Sequence, residues 1–184
     1  MNKKRRLGGV IQGNKIGEWK PSYFGTYIDK VDDIDLSETF RRSIAAIDAL
    51  DMDLLHRLVD QVYAPGKWTV RDIFQHIIDT ERIFAYRALR FSRNDQTILP
   101  GFEEDEFSLH AEATRRPLEE IITEMRHVRQ SSQMLFESMP ESALYRSGIM
   151  FKSEVPVLAI GFTTIGHQVH HFGVMEERYF PLVK

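Results

Sequence analysis

Residues 166–179 read GHQVHHFGVMEERY and set three histidines within five positions of a chain that has seven histidines and no cysteine. Imidazole is a common ligand for divalent metals, and residues four apart stack on one helix face. His167 and His171 can therefore present two nitrogens to one ion, while His170 is rotated about 100° away from His171. Zinc peptidases of the H-E-x-x-H type use a similar pair with a glutamate as general base. Here that second position is Gln168, which cannot abstract a proton, so a third ligand must come from another helix. Without such a ligand the pair reads as packed or solvated histidines, because a bare H-x-x-x-H arises readily by chance.

His76 is the best candidate for the third position. It sits in the row Ile73, His76, Ile77, Thr80 and Phe84, which has the spacing of a core-facing helix stripe. A buried polar group left unpaired costs roughly 1–3 kcal/mol. Metal ligation would satisfy the imidazole, and so would a carbonyl, a carboxylate or a water. His56, His110 and His127 lack comparable spacing, although His110, in a long connecting segment, stays an outside candidate. Asp79, three residues after His76, could share its face but reads better as a surface carboxylate or helix ion-pair partner. No side chain is assigned as catalytic acid or base. With no cysteine, disulfides, thiolate zinc sites and a cysteine nucleophile are excluded.

Four helices must position these groups. From Asp35 the apolar positions Leu36, Phe40, Ile44, Ile47, Leu54 and Leu58 predict a first helix to about Val59. Thr69, with Asp72 three residues on, predicts a capped second helix over 70–92 that carries His76. Residues 93–116, with Pro100 and Gly101, read as a long connection with at most one helical turn, and long connections are usually functional or cover something. Pro117 opens a third helix ending near Met139, before Pro140. A loop or small hairpin then precedes a fourth helix from about Pro156 to Phe180. The stretch GEWKPSYFGTYIDKV, ahead of the first helix, has aromatics without a stripe and is expected to be an extended arm. The pattern suggests an all-α four-helix bundle.

Length and composition bound the rest. A chain of 184 residues suits one domain, here 17–184, preceded by a flexible extension over 1–16. The net charge of −3, with both signs dispersed, gives no nucleic-acid footprint, and the NKKRR cluster reads as a solvated terminus. No apolar run approaches the ~20 residues a bilayer requires, and no signal segment is evident, so a cytoplasmic protein without nucleic-acid or membrane partners is expected.

Two segments together, KWTVRDIFQHIIDTERIFAYRALRF and GHQVHHFGVMEERY, resemble the DinB-like superfamily, especially its YfiT-like metal-dependent hydrolases. In that family a tryptophan-led helix carries one histidine, and the last helix carries a G-H-x-x-H-H element followed by E-R-Y. The resemblance extends from GEWKPSYFGTYIDKV through LPGFEEDEF to the C-terminus. It implies that His76, His167 and His171 are the three metal ligands, with His170 beside them. It also implies an up-up-down-down-like four-helix bundle with a long crossover between helices two and three.

The chemistry implied is a divalent ion, zinc or nickel first and manganese or iron as alternatives, held by neutral imidazoles with a position open to substrate. Relatives include transferases that join a low-molecular-weight thiol such as bacillithiol to an electrophile. The expected function is metal-dependent transfer of such a thiol co-substrate to a small-molecule electrophile. A hydrolase acting through a water activated by the ion is the alternative, and a non-enzymatic metal-bearing interaction module, as a homodimer through an exposed helix face, is the third reading.

Overall fold

The computed structural model describes residues 22–32, 34–150 and 152–183. The extension assigned to residues 1–16 lies outside them. In chain order the helices are α1 Ser22–Ile28, α2 Leu36–Asp48, α3 Met52–Leu58, α4 Val70–Ser92, α5 Glu104–Ala111, α6 Leu118–Glu137, α7 Glu141–Leu144 and α8 Val157–Val174. A two-stranded antiparallel hairpin, β1 Ser147–Met150 and β2 Ser153–Pro156, precedes α8.

Four long helices form the bundle: α4 packs against α6 and α8, and α2 packs against the same two. Two apolar clusters fill its ends. One joins Leu36, Phe40, Phe84, Phe91, Phe136 and the first half of α8, and the other joins Ile47, Ile73, Ile77, Ile121, Met125 and Met175. The chain passes from the first cluster to the second along α2 and α8, and the opposite way along α4 and α6. The helices thus run up, down, down, up, an order that differs from up-up-down-down. Because α4 and α6 are parallel, the connection between them must travel back along the bundle, which explains its length. Within it, α5 is longer than the single turn expected, and Arg87 Nη2 donates to the Pro100 carbonyl at 2.8 Å.

Between the two clusters lies a polar layer. Buried Arg129 donates from Nε and Nη2 to the Glu81 carboxylate at 2.9 Å each, and from Nη1 to Gln168 Oε1 at 2.7 Å. Gln168 Nε2 then donates to the Ser43 carbonyl at 3.2 Å. One chain of hydrogen bonds so links α6, α4, α8 and α2. A buried charge without its partner is strongly destabilising, so the network fixes how these helices meet.

Two further sequence expectations change. The predicted first helix is broken: Asp51 accepts a bond from the Leu54 N–H and starts α3 as a separate element. A short polar side chain here competes successfully with helix continuation. The expected extended arm contains a helix, α1. Residues 157–168 of α8 are buried all round, so its outward face needs a cover, and α1 provides Phe24 and Ile28. The Thr69–Asp72 capping box is present as read, with Thr69 N–H donating to Asp72 at 2.9 Å. No helix among the described residues is long and apolar enough to cross a membrane.

Candidate metal centre

His76 projects from α4, and His167 and His171 project from successive turns of α8. The Nε2 atoms of His76 and His171 each lie 3.0 Å from His167 Nε2. A ligand nitrogen from each of the three histidines lies within 4.8 Å of the others, and no carboxylate among the described residues joins them at that spacing. His76 and His167 are buried and His171 is partly so. His170 is turned aside, half-buried against Tyr27 and outside the cluster, as the helical spacing requires.

The convergence fits a cation better than it fits hydrogen bonding. A ring nitrogen of neutral imidazole offers either one N–H or one in-plane lone pair. His167 Nε2 faces two nitrogens at 3.0 Å and can bond only one of them. Two nitrogens on a tetrahedral zinc, each about 2.0–2.1 Å from the metal, are separated by about 3.3 Å, close to the spacing seen. Burial also favours the neutral, ligating form. Desolvation lowers the His76 pKa to about 4 and the His171 pKa to about 3, with repulsion among the imidazoles adding to it. His167 is pushed well below the ordinary imidazole range, first by burial and then by His171 and His76.

The surrounding residues account for much of the motif. Trp68, leading α4, lays its indole against His76 with centroids 4.7 Å apart and stacks on His171 at 6.4 Å. The Trp68 carbonyl accepts a 2.5 Å bond from the Tyr179 hydroxyl. Tyr179 ends a π-helical turn, Met175–Tyr179, that follows α8 within the expected helix and returns the chain to the site. Gly166 is required by close approach: a Cβ there would lie 2.1 Å from the Tyr27 carbonyl oxygen of α1. Tyr27 in turn sets its ring edge-on to His167 at 5.3 Å. Gln168, where a zinc peptidase has its glutamate, belongs to the Arg129 network in the core.

A cavity of about 310 Å³ opens beside the cluster, lined by His170, His171, Trp68, Tyr179, Lys67 and Asp105 among others. Asp105 comes from α5, so the crossover forms part of this wall. A larger groove of about 700 Å³ lies between α4 and α6 and includes His127, but none of the three converging histidines lines it. The other sequence candidates lie elsewhere. His110 is exposed near Glu106, and His56 pairs with Glu119 at 2.8 Å. Asp79 accepts from Gln75 at 2.9 Å, on the side of α4 that carries Arg82. Its carboxyl pKa is raised by burial, offset in part by the Gln75 bond and Arg82. Sequence reasoning missed Asp105, Arg129 and Tyr179. Arg129 left a signal as a charge in the apolar row of Ile121, Met125 and Phe136, and Tyr179 as the last residue of the E-R-Y element, though without a role.

The DinB superfamily model matches residues 35–175, which include every residue of the histidine cluster. No curated protein matches the chain at a significant level. Among solved structures, YfiT from Bacillus subtilis, a probable metal-dependent hydrolase with an unusual four-helix bundle topology, superposes with a TM-score of 0.66. The match covers 99% of this chain and 93% of that one at 12% identity, a likeness of fold.

Proposed function

The chain belongs to the DinB superfamily, and on that premise we propose that it is a metal-dependent enzyme whose His76, His167 and His171 hold one divalent ion, zinc or nickel first. We propose further that it transfers a low-molecular-weight thiol of the bacillithiol kind to a small electrophile. When bound, the ion supplies Lewis acidity that favours the deprotonated form of a thiol or a water. The three neutral imidazoles supply ligation without adding negative charge. Trp68 packs on His76 and Tyr27 on His167, so the rings are held from two sides. The cavity at His170 and His171 gives a small substrate its approach.

The observation that carries the thiol reading is that no carboxylate among the described residues lies at ligand spacing from the clustered nitrogens. Hydrolysis of an amide by a water needs a general base; Gln168 is not one, and Asp105, the carboxylate of the adjoining cavity, stands outside the nitrogen cluster. A free thiol has a pKa of about 8.5 and needs only a small shift to be a nucleophile near neutrality. In the transfer, the thiol proton passes to solvent, sulfur bonds to the electrophilic carbon, and the leaving group departs with the electron pair of the broken bond. YfiT, as a probable metal-dependent hydrolase, keeps hydrolysis as the second reading.

The test loads the protein with zinc, nickel, manganese or iron, supplies bacillithiol or a related thiol with an electrophile, and compares conjugation with a His167→Ala control. Conjugation above the control supports transfer. Metal-dependent ester or amide hydrolysis without thiol, and no conjugate, replaces it with the hydrolase.

A further inference from the structure

Two charges of opposite sign stand at the cavity beside the histidines. Lys67 lies in the turn before α4, and Asp105 lies in α5 of the crossover, yet both line the same cavity. Apart from His170 and His171 they are the ionic side chains of that lining, whose other side chains are aromatic or aliphatic.

Neither residue has a charge partner among the described residues. Other surface charges of the molecule are paired: Arg82 and Arg116 with Glu124, Arg71 with Asp60, Arg90 with Asp95, and His56 with Glu119. The Lys67 amine instead lies 5.9 Å over the Tyr63 ring, on the aromatic wall of the cavity. Asp105 reaches the same cavity from α5, where it lines the wall together with His170 and His171.

We propose that Lys67 and Asp105 are specificity-determining residues that select a small dipolar substrate, one carrying an anionic group for Lys67 and an ammonium group for Asp105. The cavity, about 310 Å³, is at the lower end of ligand-site volumes, so it suits a metabolite-sized molecule rather than a polymer. Its aromatic walls leave the two charges as the polar anchors that orient such a molecule, with its reactive end toward the histidines. This inference rests on the site reading above for the chemistry at the histidines, while the charge selection can be tested separately. Each contact is solvent-accessible, so it should contribute about five-fold in affinity rather than orders of magnitude.

The experiment measures binding of four thiols to zinc-loaded protein by calorimetry and amide chemical shifts. The probes are cysteine with both charges, cysteamine with the cation, 3-mercaptopropionate with the anion and 2-mercaptoethanol with neither. Cysteine should bind tightest. Lys67→Met should abolish the advantage of 3-mercaptopropionate over 2-mercaptoethanol, and Asp105→Asn that of cysteamine, each variant leaving the other preference intact. Zinc stoichiometry and melting are recorded for every variant. If the wild type takes up no zinc, the metal reading has failed, and the ranking is read instead with serine, ethanolamine, 3-hydroxypropionate and ethanol. An unchanged ranking in both variants, or no binding by any probe, overturns the charge selection.

Discussion

The Tyr179 hydroxyl donates a 2.5 Å hydrogen bond to the Trp68 carbonyl, joining the C-terminal π-helical turn to the residue that leads α4. Burial pushes the Tyr179 pKa up to about 12, so the donor stays protonated throughout the physiological range. Trp68 lies on His76 and His171, and the bond therefore holds one wall of the site. Tyr179→Phe should cost about 1–3 kcal/mol in denaturant unfolding, because it leaves a carbonyl without its donor. It should also weaken metal binding, whereas Tyr63→Phe, which keeps the ring beside Tyr179, should not.

The central ion pair gives the largest expected stability effect. Arg129→Met leaves the Glu81 carboxylate, 1% exposed, buried without its cation, and should lower stability by about 3–5 kcal/mol. The double variant Glu81→Leu, Arg129→Met should recover much of that loss, since an apolar pair can replace a buried ionic one. Chemical denaturation of the four proteins gives the coupling directly. Additive losses would show that the network is not a unit.

The histidines can be separated by substitution. His171→Ala removes a converging nitrogen and should weaken metal binding by more than about 100-fold, beyond the range typical of outer contacts. His170→Ala should stay within about ten-fold, because that ring packs on Tyr27 outside the cluster. Competition with a chelator, alongside a helicity measurement, checks both. Equal loss in two folded variants would reject the assignment.

Metal-free protein should lose stability as pH falls from about 6.5 toward the lowered folded-state values of about 4 for His76 and about 3 for His171. The sign follows from proton linkage: below 6.5 the unfolded chain takes up protons that the buried imidazoles refuse, so acidification favours unfolding. The slope approaches about 1.4 kcal/mol per pH unit for each histidine so affected. Between pH 6.5 and 5 ordinary carboxylates scarcely titrate, and in that window His76→Gln should flatten the dependence measured by urea unfolding.

Much of this site was legible because its signals are local. The spacing of His167 and His171, the row through His76, and the Thr69 and Asp72 cap all depend on residues within a few positions of each other. Arg129 was harder: its place in an apolar row was visible, but its partner Glu81 is 48 residues away and is chosen by how α4 meets α6. The helical state of α1 is a tertiary effect, imposed by the all-round burial of α8 and not by its own periodicity. Asp105 belongs to a segment without an apolar stripe, so only the path of the crossover along the bundle brings it to the cavity. Gly166 was readable as a motif residue, while its reason, the Tyr27 carbonyl, required the packed structure.

The claim on which the account turns is that three imidazoles from two helices hold one divalent ion. Elemental analysis of purified protein, after loading with zinc and removal of unbound metal, tests it most directly when paired with the His167→Ala variant, because His167 Nε2 is the nitrogen common to both 3.0 Å contacts. One ion per wild-type chain is expected, with near-complete loss in a variant that retains its helical content. Full metal occupancy in folded His167→Ala would contradict it.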